Sequence, residues 1–325
     1  MHGDDIVRLR EEIEEMPEYA LHVRLRALDD SIGIFEGNYK DLVGFIGYLQ
    51  DDPQAATLYA VENRDLLGSA LRKVMRLTHN YAVAAVSLID HTRSLYQQLY
   101  SSGDAFPDYQ ARVDTEFAHD PLSQFVKCLR QYCQHYRAPD ISATQSWKRG
   151  DRRITRTFHL RRPDLDRFEN WSPDARRYLK TVTGEVDILA VAEAYREKVV
   201  KFYRWFQSRQ NEIHSEALQR LKAKQDCLLS LWLEAIMALG PAGSKGDILH
   251  QADDVLRWIL GRSGFTELES IPPDSPYRAQ RTIESLEKRS FPVSDKLKRM
   301  IGQLYGPQDI AQTRREPDKG SDTAQ

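Results

Sequence analysis

Cysteine is scarce in this chain. Its 325 residues hold three, Cys128, Cys133 and Cys227, too few and too scattered for a disulfide framework, and no Cys-x-x-Cys or His-rich spacing suggests zinc. They read as reduced, buried thiols. Long apolar runs are missing too. No stretch approaches the ~20 residues a membrane span requires, and Met1-His2-Gly3-Asp4-Asp5 lacks the basic start and apolar run of a secretory signal. The expectation is a cytoplasmic protein with no membrane contact. Nor is there a surplus of positive charge. With 46 Lys and Arg against 48 Asp and Glu, the net charge is −2, so a nucleic-acid-binding surface, if present, must be local. A glycine-rich phosphate loop, a Gly-x-Ser-x-Gly elbow and a His-Glu-x-x-His pair are all absent, which leaves no motif for an ATPase, a serine hydrolase or a zinc protease. No metal and no cofactor is expected.

What the chain has in quantity is helical periodicity. Ile6, Leu9, Ile13 and Met16 are in register over Asp4 to about Leu28 before Pro17 interrupts or kinks the pattern. A second helix is expected from about Asn38 to Leu49, and Asp52-Pro53 offers a further start. From Glu62 to Tyr100, Leu77, Tyr81, Ala84, Leu88, Leu95 and Leu99 recur at steps of three, four and seven, which predicts one long helix. His91 lies near its apolar stripe and reads as a hydrogen-bonded histidine at the core edge. A second very long helix is expected from about Val186 to residue 239, with Leu189, Ala192, Tyr195, Val199, Phe202, Phe206 and Ile213 as its stripe. Wide apolar faces on long helices suit a buried central position or a dimer seam.

The period changes to two near residue 140. Ile141, Ala143 and Trp147 alternate with polar residues, as do Ile154, Phe158 and Leu160, predicting a β-hairpin over about 140–161 with Arg149-Gly150-Asp151 near its tip. The fold class is therefore all-α, a helical bundle on two long helices with one inserted hairpin. By segments this gives an N-terminal helical part (1–61), a bundle (62–239), a small C-terminal helical region (240–305) introduced by Gly240-Pro241-Ala242-Gly243, and a disordered tail (306–325).

Two clusters carry chemistry. Lys148, Arg149, Arg152, Arg153, Arg156, Arg161 and Arg162 are opposed within 148–162 only by Asp151, a local positive field beside Trp147 and Phe158 that suits a nucleic-acid backbone. Charge that protects a sheet edge from aggregation is the competing reading. The second cluster lies in Phe125–Tyr136, an amphipathic segment in which Arg130 is followed by Gln131 and then His135. A guanidinium grips phosphate and a histidine changes protonation near neutral pH. On an ideal helix, positions five apart are separated by about 140°, so either the helix loosens before Pro139 or a twofold joins the pairs of two subunits. Alternatively, Arg130 bonds an acidic neighbour and His135 stabilises the helix end.

An Arg, four to six residues, then His late in a helical bundle resembles the pattern of HEPN domains (higher eukaryotes and prokaryotes nucleotide-binding), here Arg130 and His135. The resemblance covers roughly residues 62–220. It implies a bundle that often dimerises and, in active members, metal-independent RNA cleavage by attack of the 2′-hydroxyl on the adjacent phosphate. It also implies that His135 exchanges protons with the reacting oxygens and that Arg130 stabilises charge on the phosphate. In active members the residue after the arginine is commonly Asn, Asp or His; here it is Gln131. The expected partners are RNA and a second copy of the chain. A non-catalytic scaffold that dimerises or binds another protein is the reading from a different class.

One prediction follows from the hairpin alone. If its basic residues contact RNA, log affinity should fall with log salt at about −0.7 per single-strand phosphate contact. Replacing Lys148, Arg149 and Arg153 by Gln should flatten that slope and weaken binding to all sequences alike, as filter binding at several salt concentrations would show; an unchanged slope assigns the charge to edge protection.

Overall fold

Helix α1 (His2–Glu15) ends at a bend on Met16, and Pro17 opens α2 (Pro17–Asp51), where its missing N–H costs nothing at the first helical position. The computed structural model describes residues 2–101, 105–147, 154–238, 245–273 and 275–305. In α2 the buried residues Leu28, Phe35, Leu42 and Leu49 recur every seven positions. The sequence reading ends one helix near Leu28 and begins another at Asn38. The structure has a single helix, because this buried stripe outweighs the propensity cost of Gly33, Gly37, Gly44 and Gly47. Asp52 then caps the short α3 (Pro53–Ala56), accepting from Gln54 N at 2.7 Å.

After two 3₁₀ turns comes α4 (Arg64–Tyr100), as expected a long helix, with Leu77, Tyr81, Leu88 and Leu95 buried. The short α5 (Asp108–Val113) runs into a π-helical turn (Asp114–Ala118). Helix α6 (Pro121–Gln131) follows and passes into a second π turn (Tyr132–Tyr136). The hairpin forms from β1 (Ile141–Trp147) and β2 (Ile154–Leu160), antiparallel, with Ile141 opposite Leu160 and Trp147 opposite Ile154. Helices α7 (Arg162–Asp166) and α8 (Pro173–Thr181) come next. A third strand, β3 (Val186–Asp187), pairs with β2. That strand was read as the start of a long helix, since two residues are too few to show a period of two. Asp187 instead caps α9 (Ile188–Ile213), accepting from Ala190 N at 3.0 Å.

The expected single helix of 186–239 is also divided at its far end, where His214 leaves helical geometry before α10 (Ser215–Ala238). Helix α11 (Lys245–Glu269) is kinked at Gly261, whose φ of 69° few side chains tolerate, and α12 (Pro276–Lys288) and α13 (Asp295–Tyr305) follow. Among the described residues the protein is mostly helical, 82% in all, with one small antiparallel sheet. Among the described residues no helix is long and apolar enough to cross a membrane. The 240–243 linker and the 306–325 tail lie outside the described residues.

Residues 1–20 and 216–325 form one compact unit and 21–215 another, so the segment 62–239 is shared between them. In the 21–215 unit, Phe35 is fully buried, with ring centroids 5.4 Å from Tyr81 and 6.2 Å from Tyr195. Arg196 grips Glu36 through both carboxylate oxygens at 2.8–3.0 Å, and Tyr81 Oη donates to Ala192 O at 3.0 Å. Thus α2, α4 and α9 are fastened by aromatic packing plus directed polar bonds. The other unit has its own core of Leu233, Leu256, Leu260, Leu297, Ile301 and Tyr305, and Arg278 pairs with Asp253 at 2.7 Å. Cys128 and Cys133 are buried, and burial pushes the Cys133 thiol up to about 12; Cys227, also read as buried, is exposed. His91 bonds Ser31 Oγ at 2.8 Å, as read from its place beside the stripe.

His214 Nε2 lies 2.8 Å from Tyr100 Oη, and burial lowers the histidine's pKa from its ordinary 6.5. A histidine that resists protonation when folded lets the unfolded chain take up the proton first as pH falls. Its contribution is therefore complete above about 6.5 and lost as pH drops through the lower folded value. Urea unfolding between pH 7.5 and 5 should show stability decreasing over that window, and His214→Gln should flatten the decrease; an identical pH profile in the variant would remove His214 as its source.

Candidate nucleic-acid interface

The Arg130/His135 segment begins at a well-made cap. Asp120 Oδ2 accepts from Ser123 N at 2.9 Å and Ser123 Oγ at 2.7 Å, while its other oxygen holds Lys198 Nζ at 2.9 Å. Burial alone would raise this carboxyl's pKa, but the bonds from Lys198 and Ser123 leave it below its ordinary value. Along α6 the fully buried Phe125 stacks on Trp171 and Tyr178, at 5.3 and 4.8 Å between centroids. Two turns on, Tyr132 meets Phe168 edge-on at 5.4 Å. These rings fix which face of the helix points inward, so the polar residues between them must point out.

The helix then widens. Arg137 N bonds Tyr132 O at 3.0 Å, an i→i+5 closure. Such a turn brings positions five apart nearer to a common face than an α-helix does. Arg130 is half-buried, whereas Gln131 and His135 are exposed. No hydrogen bond or ion pair joins them to each other or to an acidic neighbour among the described residues. The cavity between α4, α5, α6 and α9 is lined by other side chains.

Immediately beyond His135 lies an arginine cluster that sequence reasoning missed. Asp164, on α7, is 6% exposed. Its Oδ1 is 3.4 Å from Arg137 Nη1 and 3.2 Å from Arg167 Nη1, and its Oδ2 is 3.7 Å from Arg161 Nε. Arg161 also reaches Asp140 Oδ2 at 3.1 Å. Three guanidinium groups thus face two carboxylates, leaving one positive charge in surplus. The carboxylate is buried, but the side chains of Arg137, Arg161 and Arg167 are 40%, 48% and 66% exposed. Each therefore keeps N–H donors free for a second anion. Beneath them the buried Tyr132 hydroxyl has no hydrogen-bond partner among the described residues, and its pKa is pushed up to about 12, chiefly by burial. Arg161 and Arg167 flank the Pro163 helix start at visible spacings, but Arg137 joins them from 27 positions before Asp164, a contact no local pattern announces.

The hairpin residues divide. Lys148, Arg149, Arg152 and Arg153 lie outside the described residues. Arg161 belongs to the Asp164 cluster. Arg156 is a structural residue: its guanidinium donates to Gln50 O at 2.8 Å and covers the Tyr59 ring at 4.9 Å, while Gln50 returns a bond to Arg156 O. The outer end of the hairpin is not packed, for the cross-strand pair Trp147 and Ile154 is 73% and 47% exposed. Tyr136 on the π turn is 48% exposed. Ser142, His159 and Asp187 stand in register across the three strands, a suggestive row. The Ser142 hydroxyl is buried with no hydrogen-bond partner among the described residues, however, and is unavailable to a substrate. Among the described residues no group of three His, Cys, Asp or Glu side chains is placed to hold a metal ion.

No family model matches the chain, and neither a curated protein nor a solved structure similar to it was found. Any functional reading therefore rests on the residues above.

Asp164→Asn keeps the shape and removes the charge that gathers the arginines. Charge-assisted bonds of this kind contribute about 1.5–3 kcal/mol, so urea unfolding should show a loss of that order. No loss would mean that Asp164 does not organise the cluster.

Proposed function

We propose that this chain binds single-stranded RNA across the π turn and the hairpin, and that it is a HEPN-like endoribonuclease acting through His135. The observation that carries the reading is the arginine cluster of Arg137, Arg161 and Arg167 beside an exposed histidine. Asp164 holds these side chains in place before any ligand arrives, which lowers the ordering cost of gripping a phosphate. Exposed Tyr136 and Trp147 offer faces on which bases stack, and the basic residues of 148–153 extend the positive field in sequence.

The chemistry needs no resident group. His135 as a neutral base accepts the proton of a ribose 2′-hydroxyl, whose oxygen attacks the adjacent phosphorus. The P–O5′ bond breaks, and the leaving oxygen takes a proton from an imidazolium or from water. The products are a 2′,3′-cyclic phosphate and a 5′-hydroxyl. Arg130, which the resemblance makes the charge-stabilising residue, supports the phosphorane oxygens, and Gln131 offers a neutral hydrogen bond. A second copy of the chain would supply the other Arg130/His135 pair of a composite cleft. One observation favours the scaffold reading instead: Arg130, Gln131 and His135 are absent from the lining of the cavity between α4, α5, α6 and α9.

Incubation with mixed RNA in EDTA separates the two. The nuclease reading expects fragments with cyclic phosphate ends, slowed about 10²–10⁴-fold by His135→Ala, with the circular dichroism spectrum unchanged. Intact RNA at high protein concentration, or cleavage indifferent to His135, would leave the scaffold.

A further inference from the structure

The first π turn borders a cavity of about 500 Å³ inside the 21–215 unit, enclosed by α4, α5, α6 and α9. Its size falls in the range of about 300–1,000 Å³ typical of small-molecule sites, and its position between bundle helices is a usual one. Aromatic rings form part of the walls. Phe117 and Phe202 meet edge-on at 5.2 Å, and Tyr109, Tyr195 and Tyr203 line the same space. The π turn supplies Asp114, Phe117 and Ala118 to the wall. Such turns recur at functional sites because the extra residue re-aims side chains that an α-helix would stack.

Most polar groups of the wall are already engaged. Thr92 and Tyr203 bond each other, Ser123 bonds Asp120, and Gln124 donates to Phe117 O at 3.1 Å. The hydroxyls of Tyr109 and Tyr195, residues only 7% and 1% exposed, have no hydrogen-bond partner among the described residues. At the rim, Arg93 is 3.6 Å from Asp90, and Asp114, the one carboxylate of the wall among the described residues, accepts from Gln110 at 2.8 Å. Lys127 is exposed and without an ion pair among the described residues. The cavity therefore offers aromatic faces, the hydroxyls of Tyr109 and Tyr195, and one ammonium without an ion pair among the described residues.

We infer that this cavity binds a small aromatic carboxylate, its ring against Phe117 and Phe202, its charged end at Lys127, and an oxygen accepting from the Tyr195 hydroxyl. The site lies apart from the His135 surface and does not depend on RNA binding.

Calorimetric titration of the full chain with 2-naphthoate, neutral 2-naphthalenemethanol and cationic 2-naphthylmethylamine tests it. Naphthoate should bind at least about tenfold more tightly than the alcohol, the range of one charge-assisted bond. Lys127→Gln, an exposed change that leaves the core intact, should erase that difference while sparing the alcohol. Ala118→Phe, which fills the cavity, should abolish both, with folding checked by circular dichroism. No binding by any of the three, tighter binding of the amine, or naphthoate binding indifferent to both variants would each overturn the inference.

Discussion

A carboxylate taken out of water has to be paired, and in this protein that requirement fixes the neighbourhood of Asp164. At 6% exposure, its charge cannot rely on solvent. The three guanidiniums around it come from the end of the second π turn, the end of β2 and the residue after α7. Each of those segments is separately anchored. Tyr132 and Trp171 lie on Phe168, the Trp171 indole donates to Leu165 O at 2.7 Å, and Arg161 N continues the hairpin ladder to Asp140 O. The aromatic floor sets the distances and the carboxylate sets the charge. Arginines that would otherwise repel one another are held together, with donors left over on the outer side.

The two π turns share a physical logic. Each interrupts a helix after a well-packed stretch, so lost helical regularity is offset by aromatic contacts next to it: Phe117 against Phe202 for the first, Tyr132 against Phe168 for the second. The consequences differ. One turn opens a wall onto an interior cavity, and the other carries His135 to the surface beside Arg137.

Where burial follows a simple period, the sequence was a sufficient guide. The stripe of Leu77, Tyr81, Leu88 and Leu95 announces α4, and alternation announces the hairpin. It misled where tertiary packing overrides local preference, as in the four glycines spanned by α2. It was also blind where an element is too short to show a period, as in β3, or where one residue leaves helical geometry inside an apolar run, as at His214. The candidate site was half legible. Arg130, His135 and Arg161 are visible as residue types at suggestive spacings. The joining of Arg137 to Asp164, and the cavity between α4 and α9, depend on distant contacts that one sequence does not display.

The proposed RNA site spans the Asp164 arginine cluster and the adjacent π turn. Photo-cross-linking of the full chain to 4-thiouridine-substituted RNA, with the linked peptides read by mass spectrometry, tests it most directly. The account predicts adducts concentrated between residues 130 and 167, with Tyr136 and Trp147 among them. Adducts confined to residues 245–305, or bound RNA that yields none in the 130–167 segment, would contradict it.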